Sequence, residues 1–186
     1  MPHTMRNDLL HRLATEALTF GGFTLPSGKK TNYHFNCKPV VESEEGSRLV
    51  GALCALTLME LSDERWPNAI GGLEGSAHLI TRAAAKDLKT KWMRKMGVFK
   101  VKKVDPRTPL KKLIPSPPPP RSKVAIFDDV LATGAVIQRA IDAVNARKSH
   151  VAAIVVLIDR QDILDQMIGL TVRERLDARL AAFEPA

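Results

Sequence analysis

Two adjacent carboxylates at the end of an apolar run are the residues best placed to do chemistry in this sequence. The stretch Val124-Ala-Ile-Phe-Asp128-Asp129-Val-Leu-Ala-Thr133-Gly134-Ala135 reads as a strand, two acids, a small-residue turn and then a helix. In parallel α/β sheets ligands sit at the carboxyl ends of strands, and a helix that opens on small residues offers free backbone N–H groups to a phosphate. The amides of Ala132, Thr133, Gly134, Ala135 and Val136 would wrap a terminal phosphate, while Asp128 and Asp129 would accept hydrogen bonds from ribose hydroxyls. One short segment can therefore hold both halves of a sugar phosphate. The plainer reading, in which the acids only cap a helix and solvate a strand end, accounts for less of the pattern.

The elements that must position this segment can be read from hydrophobic spacing. Leu9, Leu10, Leu13, Ala14, Ala17 and Leu18 recur at helical intervals after Asn7-Asp8, which predicts an amphipathic helix from Asn7 to Leu18. Phe20 to Leu25 and Tyr33 to Val41 predict a hairpin around Pro26-Ser27-Gly28. Ser43-Glu44-Glu45 opens a long helix through Leu49, Val50, Leu53, Leu56 and Met59 to about Ser62, its acids suited to the positive end of the helix dipole. Short apolar strands then alternate with helices: Ala69-Ile70, a helix from Ser76 to Leu88, Trp92-Met93, Lys123 to Phe127, a helix from Thr133 to Arg147, and Val151 to Ile158. Continuous apolar strands such as the last belong inside a sheet covered on both faces, so the fold class expected is α/β with a parallel sheet flanked by helices. The tail from Gln161 to Ala186 reads as mostly helical.

The chain has 186 residues, enough for one compact domain that buries roughly 70% of its unfolded surface. Hydrophobic residues at 45%, charged residues at 26% and a mean hydropathy of −0.10 argue against a transmembrane protein. Cys37 and Cys54 form no CxxC pair, and Met1-Pro2-His3-Thr4 lacks a basic-then-apolar leader pattern, so a reduced, cytoplasmic protein is expected. The five histidines are scattered, without the close pairing that a zinc site needs. Lys and Arg number 28 against 20 Asp and Glu, a net charge of +8 that suits a polyanionic partner, whether nucleic acid, lipid headgroup or phosphorylated metabolite. Residues 97–123 hold seven of the twelve prolines, and their eight bases against the single acid Asp105 carry most of that charge. Four consecutive prolines exclude helix and central strand, so a long basic loop inserted between two strands is expected there.

The strand ending in Asp-Asp-x-x-x-Thr-Gly resembles the 5-phosphoribosyl 1-diphosphate (PRPP) signature of the type I phosphoribosyltransferases. Leu18-Thr-Phe20-Gly-Gly-Phe23-Thr-Leu25-Pro-Ser27-Gly28-Lys29-Lys30-Thr-Asn-Tyr33-His34-Phe35-Asn36 resembles the N-terminal hood of the orotate phosphoribosyltransferases in particular. Ile70-Gly71-Gly72-Leu73-Glu74-Gly75-Ser76-Ala77 is similar to their pyrophosphate loop, Met93-Arg94-Lys95 to the start of their catalytic loop, and Asp159-Arg160-Gln161 to the end of their next strand. The resemblance spans most of Leu18 to Asp162 in family order. It implies a single domain, residues 1–186, with the N-terminal helix and hood in residues 1–41 and a basic insertion in residues 97–123.

The resemblance also implies site roles. PRPP would lie against Gly72, Leu73, Glu74, Gly75, Asp128, Asp129, Ala132, Thr133, Gly134, Ala135 and Val136. Orotate would be stacked by the aromatic pair His34 and Phe35 and held by Arg160, whose guanidinium suits a carboxylate. For Phe35 alone, core packing is at least as good a reading. Arg94 and Lys95, with Lys100 standing in for the loop lysine, would stabilise charge on the leaving pyrophosphate. Mg2+ would be bound mainly through PRPP, without a dedicated protein metal site. Orotate and PRPP would be the small-molecule partners and the assembly a homodimer. The pattern departs from the family in three places: no histidine lies between His78 and His150, Ala132 stands where a threonine is frequent, and Pro26 where a lysine often is. These departures leave a second reading, a PRPP- or nucleotide-binding regulator with weak or no catalysis that uses the basic segment for nucleic-acid or protein contacts. Its basic segment has few aromatics for base stacking, so nucleic acid is the less favoured partner.

Overall fold

The computed structural model describes residues 2–24, 28, 30–103, 107–132 and 134–160. Helix α1 (Pro2–Arg12) passes through a wider turn, Leu13–Ala17, into the hairpin β1 (Leu18–Thr24) and β2 (Lys30–Phe35). Helices α2 (Lys38–Glu42) and α3 (Glu44–Met59) follow. The rest alternates strand and helix: β3 (Ala69–Leu73), α4 (Ser76–Trp92), β4 (Gly97–Val101), β5 (Lys123–Leu131), α5 (Ala135–Ala146) and β6 (His150–Asp159). Strands β4, β3, β5 and β6 make one parallel sheet in that order, and the hairpin stands apart from it.

Both faces of the sheet are covered, as continuous apolar strands require. Ala125 and Phe127 of β5 enter a core built with α1, α3 and α4 around Leu49, Leu58, Ile80 and Leu88. Val124 and Ile126 face the other way, into a core shared with α5 that contains Ile137, Val144, Phe99 and Val101. Helix α3 begins where expected, with the Ser43 hydroxyl accepting from the Gly46 amide at 3.1 Å.

Several expected elements differ. The first helix starts at Pro2, so Asn7-Asp8 lies inside it and caps nothing. The second hairpin strand stops at Phe35, because Pro39 fits the first turn of a helix and Val40 and Val41 are buried on its inner side. Trp92 ends α4 and Met93 is its left-handed cap, at φ 54°. The strand expected at these two residues lies further on, at Gly97–Val101.

The basic segment is therefore less of a loop than its prolines and charges suggest. Its first five residues form strand β4, with Phe99 and Val101 buried. Further on, Leu113 and Ile114 are buried in the second core, and the Leu113 carbonyl accepts from the Lys102 amide at 2.8 Å. Arg147, just after α5, donates to the carbonyls of Lys111 and Ile114, and Ser149 donates to that of Pro119 at 3.1 Å. From Leu110 onward the segment is a strap fixed to the body by two buried side chains and a row of carbonyls. The expected helical tail at residues 161–186, and the turn residues Leu25, Pro26, Ser27 and Lys29, lie outside the described residues.

Candidate active site

The carboxyl ends of the four strands bring most of the expected site residues to one edge. Strand β3 leads into Glu74-Gly75, β4 into Lys102-Lys103, β5 into Ala132, and β6 into Arg160. Gly75 (φ 108°) opens α4 and Gly134 (φ 80°) opens α5, both in backbone regions where a side chain is strained. No described side chain caps either helix. Two helix N-termini with free amides thus point at the same edge, each able to hold an anion. Ala135 and Val136 are exposed there, beside Ala132 and Gly134; Thr133 lies outside the described residues.

Asp128 and Asp129 sit between these two N-termini. The pleat changes sides at this pair: Val124, Ile126 and Leu131 pack in the α5 core, but Ala125, Phe127 and Val130 in the other. Each carboxylate accepts the next backbone amide, Asp129 N–H to Asp128 Oδ1 at 3.0 Å and Val130 N–H to Asp129 Oδ1 at 3.1 Å. Asp128 is buried, and burial, with the charge of Asp129 second, pushes its carboxyl well above the usual range; Lys103 pulls it back. Cys37 lies beneath the pair, its thiol pushed up to about 12 by burial and then by the two carboxylates.

The glycine pair of β3 has a structural use. A Cβ at Gly71 would lie 2.2 Å from the Phe99 ring, and one at Gly72 2.3 Å from the Ala77 carbonyl and the Thr81 hydroxyl. Both glycines therefore let neighbours press against the strand. Leu73 points into the core, so only its backbone is available to a ligand. Glu74 pairs with Lys100 at 3.0 Å, and that ammonium holds the Glu74 carboxyl below its ordinary value.

Arg160 ties the sheet to the hood. Its amide donates to Leu131 O at 2.9 Å, its Nη2 to Thr31 Oγ1 at 3.1 Å, and its guanidinium lies 4.5 Å from the centre of the Tyr33 ring. A cleft of about 570 Å³ opens here, lined by Gly21, Gly22, Lys30, Thr31, Asn32, Tyr33 and Arg160. His34 and Phe35 do not form a stacking pair. The β2 pleat sends His34 to the exposed side, 5.4 Å from the Phe23 ring, and Phe35 inward against the core. Neighbouring strand residues point to opposite faces, so two adjacent rings cannot share one ligand face. Tyr33 is the ring beside Arg160, and the alternation of aromatic and polar residues in Thr31–Phe35 is the signal that singles it out.

Within one chain Arg94 and Lys95 lie away from the carboxyl edge. Helix α4 runs back across the sheet, and Arg94 stacks on Trp66 at 4.7 Å, next to the first residues of β3 and β4. From Ala69 to Leu73 the strand climbs ~13 Å, at about 3.3 Å per residue, so these two cations face the opposite edge. Beside Arg160, the described lysines at the carboxyl edge include Lys100, Lys102 and Lys103. The charge of Lys103 acts on Asp128, and those of Lys100 and Lys102 act on Glu74. The apolar residues Val98, Phe99 and Val101 just before Lys102-Lys103 mark a strand end, a signal masked by the basic composition around it.

Comparison with known proteins bears on the fold and the family. No protein-family model matches the chain. It is 31% identical over 159 residues to the orotate phosphoribosyltransferase of Rhodopirellula baltica, covering 82% of this chain and 79% of that one. The orotate phosphoribosyltransferase of Thermosynechococcus vestitus is also 31% identical, over 84% of this chain and 80% of its own. The fold is shared with Mycobacterium tuberculosis orotate phosphoribosyltransferase in complex with inorganic phosphate, at a TM-score of 0.68 with 21% identity and 89% of each chain covered. Saccharomyces cerevisiae adenine phosphoribosyltransferase has the same fold at a TM-score of 0.61 and 18% identity, covering 91% of this chain and 95% of that one. The fold alone thus spans enzymes for different bases, and sequence identity has to separate them. Identity of 31%, sustained over about four fifths of both chains, places this chain in the orotate phosphoribosyltransferase family.

Proposed function

We propose that the protein transfers the phosphoribosyl group of PRPP to orotate, giving orotidine monophosphate and pyrophosphate for uridine monophosphate synthesis. The observation that carries this reading is the carboxyl edge itself: two uncapped helix N-termini, an aspartate pair between them and three lysines beside them, in a chain of this family. The amides of Ala132, Gly134, Ala135 and Val136 at the start of α5 hold the 5-phosphate, and the Glu74-Gly75 turn with the start of α4 holds the diphosphate. Asp128 and Asp129 accept from the ribose hydroxyls between them. Arg160 meets the orotate carboxylate as a planar fork, with Tyr33 beside it and the hood strands over the ring.

As the bond from the anomeric carbon to the diphosphate breaks, positive charge develops on the ribose and negative charge on the leaving group. Lys100, Lys102 and Lys103 stabilise the leaving group, and the nearby carboxylates suit the cationic sugar. Among the described residues no three His, Cys, Asp or Glu side chains converge to cage a metal ion. Oxygen ligands for the ion would come mainly from PRPP itself, and the Asp128–Asp129 pair is the protein group that fits beside them. Mg2+ bound in this way adds charge neutralisation on the diphosphate. A homodimer and a cytoplasmic location complete the proposal; two free, buried cysteines suit a reducing compartment, and no described helix is long and apolar enough to cross a membrane. Following orotate absorbance with PRPP and Mg2+ tests the activity. Turnover above an Asp128→Asn/Asp129→Asn control is expected, and its absence at high enzyme concentration would overturn the reading.

A further inference from the structure

A carboxylate stands at the lip of a site built for polyphosphate, where it should repel the substrate. Strand register explains how it is tolerated. In the parallel β3–β4 pair, Gly72 lies opposite Lys100 and Leu73 opposite Val101, and the Glu74 amide donates to Val101 O at 2.8 Å. Glu74 follows Gly72 by two residues, so it emerges on the same side of the sheet as Lys100. Gly72 has no side chain to separate them. Glu74 Oε1 lies 3.0 Å from Lys100 Nζ, and both side chains are about two fifths exposed, at 43% and 38%. The other charged or titratable side chains around the pair are Lys102 and Lys103 at the end of β4 and His78 and Arg82 of α4. Glu74 is the only acid among them.

We infer that Glu74 is the resting counter-anion of Lys100, and that Lys100 passes its ammonium from Glu74 to the diphosphate when substrate binds. This rests on the carboxyl edge being the PRPP site. A half-exposed ion pair is weakly held, whereas a diphosphate brings several negative oxygens and stronger charge-assisted bonds to the same ammonium. In the free enzyme Glu74 keeps Lys100 extended along the strand toward the Gly75 turn, ordered before substrate arrives. In the complex Glu74 opposes over-tight binding of pyrophosphate and so speeds product release. Glu74 is thus a positioning residue acting through Lys100.

Calorimetric titration of pyrophosphate with Mg2+ into the wild type, Glu74→Gln, Lys100→Met and the double variant tests the exchange, with orotate turnover measured in parallel. Glu74→Gln is expected to bind pyrophosphate about 3- to 10-fold more tightly, with a lower kcat from slower release. Lys100→Met should bind about tenfold more weakly. In the Lys100→Met background, Glu74→Gln should gain little, because the ammonium it competes for is gone. Equal tightening by Glu74→Gln with and without Lys100 would reduce Glu74 to a distant repulsive charge and overturn the exchange. Unchanged or weaker binding in Glu74→Gln overturns it too, while leaving the proposed activity intact if wild-type turnover is present. Wild-type protein that neither binds pyrophosphate nor consumes orotate overturns the proposed activity and the exchange together.

Discussion

The two edges of the central sheet carry similar cations and put them to different use. At the amino edge Arg94 is committed to the Trp66 ring, Lys123 donates to the Glu64 carbonyl at 2.7 Å, and Arg65 lies against Ala152 O. These bases fasten connections between elements. At the carboxyl edge Lys100, Lys102 and Lys103 surround strand ends, uncapped amides and a buried aspartate. What distinguishes the edges is backbone direction: every parallel strand delivers its free N–H groups and the following helix start to one side only. A cation's chemistry is set by which end of a strand it follows, and an Arg-Lys pair in sequence carries no such information.

The largest effect should come from the adjacent carboxylates at the carboxyl edge. Asp128→Asn with Asp129→Asn is expected to lower kcat/KM for PRPP about a thousandfold, read by orotate absorbance, because the charge facing the ribose is lost at the reacting centre. The single Asp128→Asn variant should also melt higher than the wild type near neutral pH. A buried carboxyl whose value is raised in the folded state binds its proton more tightly than in the unfolded chain, so its ionisation at higher pH costs stability.

Next comes the strap, which is structural on this account. Leu113→Ala should cost about 2–5 kcal/mol in denaturant titration, the usual range for emptying a buried leucine site, since Leu113 is 1% exposed. A free surface loop would lose almost nothing. A third effect is pH-dependent. Asp128 accepts ribose hydroxyls best when ionised, and its carboxyl is pushed up to about 7. The KM for PRPP should therefore rise as pH falls below about 7, by up to about tenfold per unit, and Asp128→Asn should flatten that profile. The smallest effect belongs to the amino edge: Arg94→Ala should cost roughly 0.5–1 kcal/mol of stability through the lost ring contact, with turnover within about twofold of the wild type.

Much of this arrangement is legible in the residues. Val124 to Phe127 and Val151 to Ile158 are continuous apolar runs that only a doubly covered sheet accommodates, and Asp128-Asp129 with Gly134 marks a strand end before a helix. Ser43-Glu44-Glu45 marks a helix start through its first-turn acids, and the structure adds the Ser43 hydroxyl capping the Gly46 amide. The difficult places are those where composition hides a tertiary role. Residues 97–123 look solvated because of their lysines and prolines, yet Phe99, Val101, Leu113 and Ile114 are core. Arg94-Lys95 resembles a loop start, and the length of α4 places it at the amino edge of its own chain. His34 and Phe35 look like a ring pair until the two-residue pleat of β2 separates them, which leaves Tyr33 beside Arg160.

The central claim, that the carboxyl-edge lysines and not the amino-edge pair serve the leaving group, is tested most directly by comparing two double variants in the orotate assay. Lys102→Ala/Lys103→Ala is expected to lose about a hundredfold in kcat, the scale seen when a group stabilising transition-state charge is removed, while Arg94→Ala/Lys95→Ala stays within about twofold of the wild type. The reverse pattern, with the Arg94/Lys95 variant inactive and the Lys102/Lys103 variant near normal, would contradict the account.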